Sequence, residues 1–159
     1  MESPRITRGN IFSLSGAGLR DLLLEVLNTG KAFRIRVTGN SMWPFVKTHD
    51  VITITPVTGK PPRIGEIVAF IHPVCRRLLV HRVVRVSGDG YLLRGDNGQA
   101  ADGMVPRASI LGRVTALHRQ GKPVRLGLGI ERRLIALLSA RGLLGPGVRL
   151  LARLAGRKG

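Results

Sequence analysis

Three residue types that can form a hydrolytic relay are spread along the chain: a serine on a tight turn, a histidine within a strand, and aspartates in one loop. Ser41 directly follows Gly39-Asn40, a pair suited to a sharp turn with unusual backbone angles. Such a turn can expose the serine hydroxyl beside free backbone N–H groups, although many turn serines have no chemical role. A hydroxyl needs a base to act as a nucleophile at neutral pH.

The candidate bases are the four histidines: His49, His72, His81 and His118. His81 stands out because it interrupts a strand pattern of apolar residues and arginines, although a lone strand histidine can also be structural. A base histidine needs an acceptor that fixes its tautomer and stabilises the imidazolium. Asp96 and Asp102, in one polar loop, are the candidate acceptors, and each could instead stabilise a turn.

Strands must position these side chains. Residues 33–37 alternate apolar and basic side chains, which indicates a half-buried strand leading into the Ser41 turn. Residues 67–71 are continuously apolar, as in a strand buried on both faces. Further strands are predicted at 51–55, 78–86, 91–94 and 110–117. We therefore predict a mainly β fold with one N-terminal amphipathic helix and a basic C-terminal helical pair.

Three segments are predicted: residues 1–32 with the amphipathic helix, a β domain at 33–118, and a basic helical tail at 119–159. The first helix has two acids and one arginine on its polar face, which favours packing on the domain over binding to anionic lipid. The tail contains two apolar stripes, one at Ile130, Leu134, Leu137 and Leu138, and one at 148–155. This pattern fits either an anionic membrane surface or a helical hairpin packed on its own domain.

The composition restricts the class of protein. Lys+Arg number 26 against 9 Asp+Glu, and the resulting charge of +17 attracts polyanions such as anionic lipid or, without sequence preference, nucleic acid. Cys75 is the single cysteine, which excludes an internal disulfide. No apolar run reaches the length of a membrane span, and no convincing signal peptide is present. The sequence predicts a protein of the cytoplasm, free or attached peripherally to a membrane.

A series of short blocks between residues 34 and 114 has a specific order. They are Gly39-Asn40-Ser41-Met42-Trp43-Pro44, then 49–52, 65–70, 80–84, 94–97 with Asp102, and 110–114. Together they make this chain resemble the signal peptidase I family and, more broadly, the LexA-type repressor peptidases that share its β-rich fold. Because the 80–84 block contains a histidine, the chain resembles the branch of that family whose members use a Ser-His-Asp triad.

The resemblance implies roles for individual residues. Ser41 is the expected nucleophile, His81 the general base and Asp102 the third member, with Asp96 as the substitute. The oxyanion site is expected at the Ser41 N–H and the turn formed by Gly39 and Asn40. Some relatives have a serine hydroxyl where this chain has Gly39, so only backbone donors remain. This chemistry calls for no metal and no cofactor.

The resemblance also implies cleavage after a small residue of an extended peptide or preprotein, bound by β-augmentation. The side chains expected to line its pockets are Phe33, Ile35, Met42, Val68 and Phe70, which could alternatively be core residues. Family members that process secretory preproteins have an N-terminal membrane span, which this sequence lacks. Two other functions stay open: a LexA-like regulator that binds nucleic acid, and a non-enzymatic adaptor at a membrane surface.

Overall fold

The computed structural model describes residues 16–97 and 100–144. The predictions for residues 1–15 and for the second tail helix lie outside these residues. The helices are α1 (Gly16–Asn28) and α2 (Arg132–Ala140). The strands are β1 (Phe33–Arg36), β2 (Val51–Pro56), β3 (Ile67–Ile71), β4 (Leu78–Ser87), β5 (Gly90–Arg94), β6 (Met104–Pro106), β7 (Ile110–Arg119) and β8 (Lys122–Pro123). A 3₁₀ turn, Arg107–Ser109, precedes β7.

The described strands form one antiparallel sheet in the order β1-β2-β7-β3-β4-β5-β6, with β8 paired to β7. The predicted mainly β fold with a helix before and a helix after the strands is confirmed. β1 is an edge strand, and β5 pairs with β4 only from Arg82 onward. The segment of β4 before Arg82 therefore has β3 on one side and no described strand on the other.

Both faces of β3 are buried, as its apolar run predicts. Ile67 and Ala69 pack in one cluster beneath α1, whose Leu23 and Leu27 are buried there. Other β3 side chains pack in a second cluster with residues of β4, β5 and β6. Because successive strand residues point to opposite faces, β3 joins the two cores and fixes its neighbours β4 and β7.

The basic segment after β7 packs on the sheet, but not through the predicted apolar stripe. The buried residues of α2 are Ile135, Ala136 and Ser139, and the helix lies against β4. Leu134 and Leu137 are instead exposed. Of the two orientations left open by the sequence, the packed one is not adopted by Leu134 and Leu137, because α2 has apolar residues on two faces and contacts β4 through the other.

Candidate active site

The loop between β1 and β2 holds Ser41 in a closed turn. Two backbone hydrogen bonds close its base, Val37 N–H to the Asp50 carbonyl at 2.8 Å and His49 N–H to the Val37 carbonyl at 2.9 Å. Gly39 has a φ of +100°, in the region that favours glycine. Met42 is buried one residue after Ser41. The two backbone hydrogen bonds at the base of the turn and the buried Met42 side chain therefore hold the turn in place.

The Asp50 carboxylate pins this loop to β7. It accepts hydrogen bonds from the Lys47 N–H at 2.7 Å and from Arg119, whose Nε lies 2.9 Å and whose Nη2 lies 2.8 Å from the two oxygens. Arg119 also donates to the Phe45 carbonyl. Burial raises the pKa of Asp50, but the hydrogen bonds from Arg119 and Lys47 and the Arg119 charge outweigh it, so the pKa lies below its ordinary value.

The structure places His81 directly against Asp102. The Nδ1 of His81 lies 2.5 Å from Oδ2 of Asp102, and the imidazole is almost entirely buried. β4 positions the histidine opposite Val68 of β3, while a hydrogen bond from the Asp102 N–H to the Leu93 carbonyl holds the loop. With Nδ1 directed at the carboxylate, Nε2 is the ring atom left to exchange a proton with a substrate or a nucleophile.

Gly95 is where the histidine and the serine turn converge. A Cβ at this position would lie 2.6 Å from the Ser41 carbonyl oxygen and 3.3 Å from Nε2 of His81. The Asn97 N–H also donates to the Ser41 carbonyl at 2.9 Å. Only a residue without a side chain fits between the two groups. The Ser41 backbone carbonyl and the His81 ring thus lie on either side of Gly95, and among the described residues no hydrogen bond joins the Ser41 hydroxyl to this ring.

Asp96 does not serve as the acceptor for His81. Both of its oxygens bond Arg82, with Nε–Oδ1 at 2.9 Å and Nη2–Oδ2 at 2.7 Å, and neither side chain is exposed to solvent. Burial raises the pKa of Asp96, and the Arg82 guanidinium opposes that rise. The geometry therefore favours Asp102 over Asp96 as the third member, because Arg82 already occupies the Asp96 carboxylate.

The remaining donors of Arg82 hold two loops together. Its Nη1 donates to the carbonyls of Gly65 and Gly127, each at 2.8 Å, and the guanidinium lies 5.6 Å from the centre of the Phe45 ring. Phe45 belongs to the Ser41 loop, so one buried cation ties that loop, the Asp96 loop and the segment before α2 together. The strand alternation of the sequence did not single out this residue.

His72 is a second histidine beside Asp102 that the sequence pattern did not indicate. Its Nε2 lies 3.9 Å from Oδ1 of Asp102, and its Nδ1 accepts hydrogen bonds from the N–H groups of Val74 and Cys75, each at 3.2 Å. Because Nδ1 is an acceptor, the neutral ring carries its proton on Nε2, which faces the carboxylate. Asp102 thus lies between two imidazoles.

A groove of ≈490 Å³ opens beside Ser41. Its lining includes Leu19 and Arg20 of α1, Ile35 to Gly39, Ser41, Met42, Val46, Ile52, and Arg76 to Val80. Ile35 and Met42 line this groove as the sequence predicts. Phe33, Val68 and Phe70 are not among the residues that line it; Phe33 packs in the cluster beneath α1, and Val68 and Phe70 pack in the second cluster. This groove gives no support to their predicted role in substrate binding, and Phe70 packs its ring 5.8 Å from that of His81.

The turn offers a backbone donor next to the serine. Among the described residues, the Ser41 N–H has no hydrogen-bond partner, whereas the Thr48 hydroxyl donates to the Gly39 carbonyl at 2.8 Å and lies 2.9 Å from the Asn40 side-chain amide. Thr48 therefore fixes the two residues that precede the serine. An N–H group held in this way, and not already bonded, can stabilise a developing oxyanion.

Comparison with known proteins identifies one family. Residues 16–115 match the family model described as Peptidase S24-like, which is more than half of the chain and includes Ser41, His81 and Asp102. No curated protein matches this sequence.

Proposed function

We propose that this chain, which belongs to the Peptidase S24-like family, is a serine endopeptidase with Ser41 as nucleophile, His81 as general base and Asp102 as the orienting carboxylate. The observation that supports it best is the 2.5 Å contact between His81 Nδ1 and Asp102. This contact leaves Nε2 beside Gly95, where the Ser41 turn also lies. Ser-His-Asp hydrolysis needs this order of hydroxyl, imidazole and carboxylate.

The proposed reaction follows from these positions. Nε2 of His81 accepts the hydroxyl proton as Ser41 Oγ attacks the peptide carbonyl, and the Ser41 N–H donates to the oxyanion that forms. His81 then gives the proton to the leaving amine, and water repeats the sequence to release the acyl group. Hydrogen bonds of this kind are often long in the free enzyme and shorten when substrate binds.

The substrate is proposed to be an extended peptide that lies in the groove. β1 presents an unpaired edge on one side, and the unpaired side of β4 at Leu78 to Val80 borders the other. Either edge can add a strand through backbone hydrogen bonds. The groove therefore favours β4 as the second strand beside the substrate. Ile35 and Met42 would contact a small side chain before the cleaved bond, as in signal peptidase I.

Covalent labelling of the serine tests the proposal. A fluorophosphonate probe is expected to modify the full-length protein once, and Ser41→Ala should abolish the labelling detected by intact mass. Ser87→Ala, at the exposed end of β4, is the matched control and should label normally. Labelling that persists in Ser41→Ala would exclude Ser41 as the nucleophile. A LexA-like regulator, the alternative within the family, would label similarly but cleave its own chain rather than an added peptide.

A second proposed property is peripheral attachment to an anionic membrane through segment 119–159. Five of the exposed large apolar side chains fall within a short stretch: Leu126, Ile130, Leu134, Leu137 and Leu143. Arg133 and Arg141 are exposed among them, and apolar residues flanked by arginines suit the headgroup region. In the described part of the chain, α1 and α2 are too short or too polar to cross a bilayer. Nucleic acid is the non-specific alternative partner for this charge.

Vesicle flotation tests the attachment. We expect the full chain to float with vesicles that contain anionic lipid, and the double variant Leu134→Gln/Leu137→Gln to lower the bound fraction at least three-fold. Val74→Gln/Val86→Gln removes two exposed apolar side chains elsewhere and should leave flotation unchanged. Equal flotation of both double variants would contradict a role for this apolar patch.

A further inference from the structure

We infer that the groove beside Ser41 selects extended peptides with carboxylates on both sides of their apolar, groove-binding residues. The inference rests on the proposed function and adds to it the charge of the substrate. It follows from the arginines on the two walls of the groove, from the absence of acids among the residues that line it, and from its apolar floor.

The two walls come from separate parts of the chain. One is formed by α1 and the end of β1 and carries Arg20 and Arg36; the other is the β3–β4 turn and the start of β4 and carries Arg76 and Arg77. The second wall is a defined turn, because the Arg76 N–H bonds the His72 carbonyl and the His72 N–H bonds the Arg77 carbonyl. An extended chain in this groove would therefore have guanidinium groups on both sides.

Three of these arginines have no carboxylate partner in the described part of the chain. Arg36, Arg76 and Arg77 are exposed and form no ion pair there, and only Arg20 contacts an acid, its neighbour Asp21. Four less exposed arginines outside the groove, Arg82, Arg113, Arg119 and Arg132, each pair with a carboxylate, so acids of this chain are already committed elsewhere. None of the described residues that line the groove is acidic, so carboxylates on a ligand are the complementary groups.

The floor favours a peptide over a nucleic acid as the anionic ligand. It is apolar and aliphatic, with Met42, Val46, Ile52 and Leu78 among its residues. Proteins that bind single-stranded nucleic acid usually provide aromatic rings on which bases stack, and the lining residues that the structure describes include no aromatic side chain. Aliphatic pockets between unpaired strand edges suit the alternating side chains of an extended peptide.

Binding measurements test this inference separately from catalysis. We would measure the affinity of fluorescent peptides for full-length Ser41→Ala by anisotropy, using one sequence with a central alanine and flanks of Glu, Gln or Lys. An exposed ion pair changes affinity a few-fold, so the Glu peptide should bind about ten-fold more tightly than the Gln peptide. Added salt should reduce the difference, and the Lys peptide should bind most weakly.

Substitution of the groove arginines tests their specific role. Arg36→Gln/Arg76→Gln/Arg77→Gln, in the Ser41→Ala background, should abolish the preference for Glu. The control triple variant Arg63→Gln/Arg85→Gln/Arg125→Gln removes the same charge at exposed sites outside the groove and should retain it. Equal binding of the Glu and Gln peptides, equal loss in both triple variants, or displacement of the Glu peptide by a short oligothymidylate at lower concentration than by the unlabelled peptide would overturn the inference.

Cleavage assays keep the two proposals distinguishable. If the unmodified protein cleaves the Glu and Gln peptides at equal kcat/KM, the peptidase proposal stands and the charge selection fails. If the Glu peptide binds preferentially through the three arginines but is never cleaved, the groove inference stands and the peptidase proposal fails for these peptides.

Discussion

Replacing Arg82 with methionine should lower the free energy of unfolding by about 3–5 kcal/mol, because it leaves the buried Asp96 carboxylate without its cation. Neither side chain of this ion pair is exposed to solvent. The substitution also removes the donors to the Gly65 and Gly127 carbonyls. Methionine keeps much of the side-chain volume, so the loss reports the missing charge and hydrogen bonds rather than a large cavity.

Denaturant unfolding of matched variants checks this value. Arg85→Met changes an exposed arginine three residues later on the same strand and should shift the free energy of unfolding by less than about 0.5 kcal/mol. Arg82→Met/Asp96→Leu should recover part of the lost stability, because removing both members of a buried pair is far less costly than removing one. An Arg82→Met protein as stable as Arg85→Met would show that this pair does not hold the loops.

The sequence was informative where local rules decide the structure. The period-two pattern before Ser41, the apolar run of β3 and the Gly-Asn turn correspond to β1, a doubly buried strand and a closed loop. In each, neighbours in sequence set the conformation, because strand alternation and turn propensity act over a few residues.

These local sequence rules did not predict the contacts that depend on segments far apart in the chain. Consecutive residues His81 and Arg82 are both buried, which alternation alone does not predict, because both faces of β4 are covered there. His72 reaches Asp102 only through the fold. Arg36 and Arg76 lie on opposite walls of one groove, which is formed by segments far apart in sequence. Such contacts depend on the register of the whole sheet, which no short window of sequence contains.

The two aspartates illustrate this limit. Asp96 and Asp102 occupy one polar loop, and their spacing favours Asp102 only through the family resemblance. The described coordinates separate them by partner: Asp96 bonds the cation of Arg82, and Asp102 bonds the imidazole of His81. The two aspartates have different partners because His81 and Arg82 are consecutive on β4 and point to opposite faces of the sheet, which favours Asp102 as the carboxylate of the proposed relay.

Asp102→Asn should therefore lower kcat for peptide cleavage by about 10³–10⁴-fold while the protein stays folded. An amide in place of the carboxylate can hold the ring in the wrong tautomer and no longer stabilises the imidazolium; the loss in a comparable triad is of this size. Asp89→Asn, in the exposed β4–β5 turn, is the control and should retain full activity.

His81→Ala should lose at least as much activity as Asp102→Asn, and combining the two substitutions should add little further loss, because relay members act as a unit. Single-turnover cleavage, with circular dichroism to verify folding, measures each effect, and an Asp102→Asn enzyme within ten-fold of the unmodified rate would remove Asp102 from the relay.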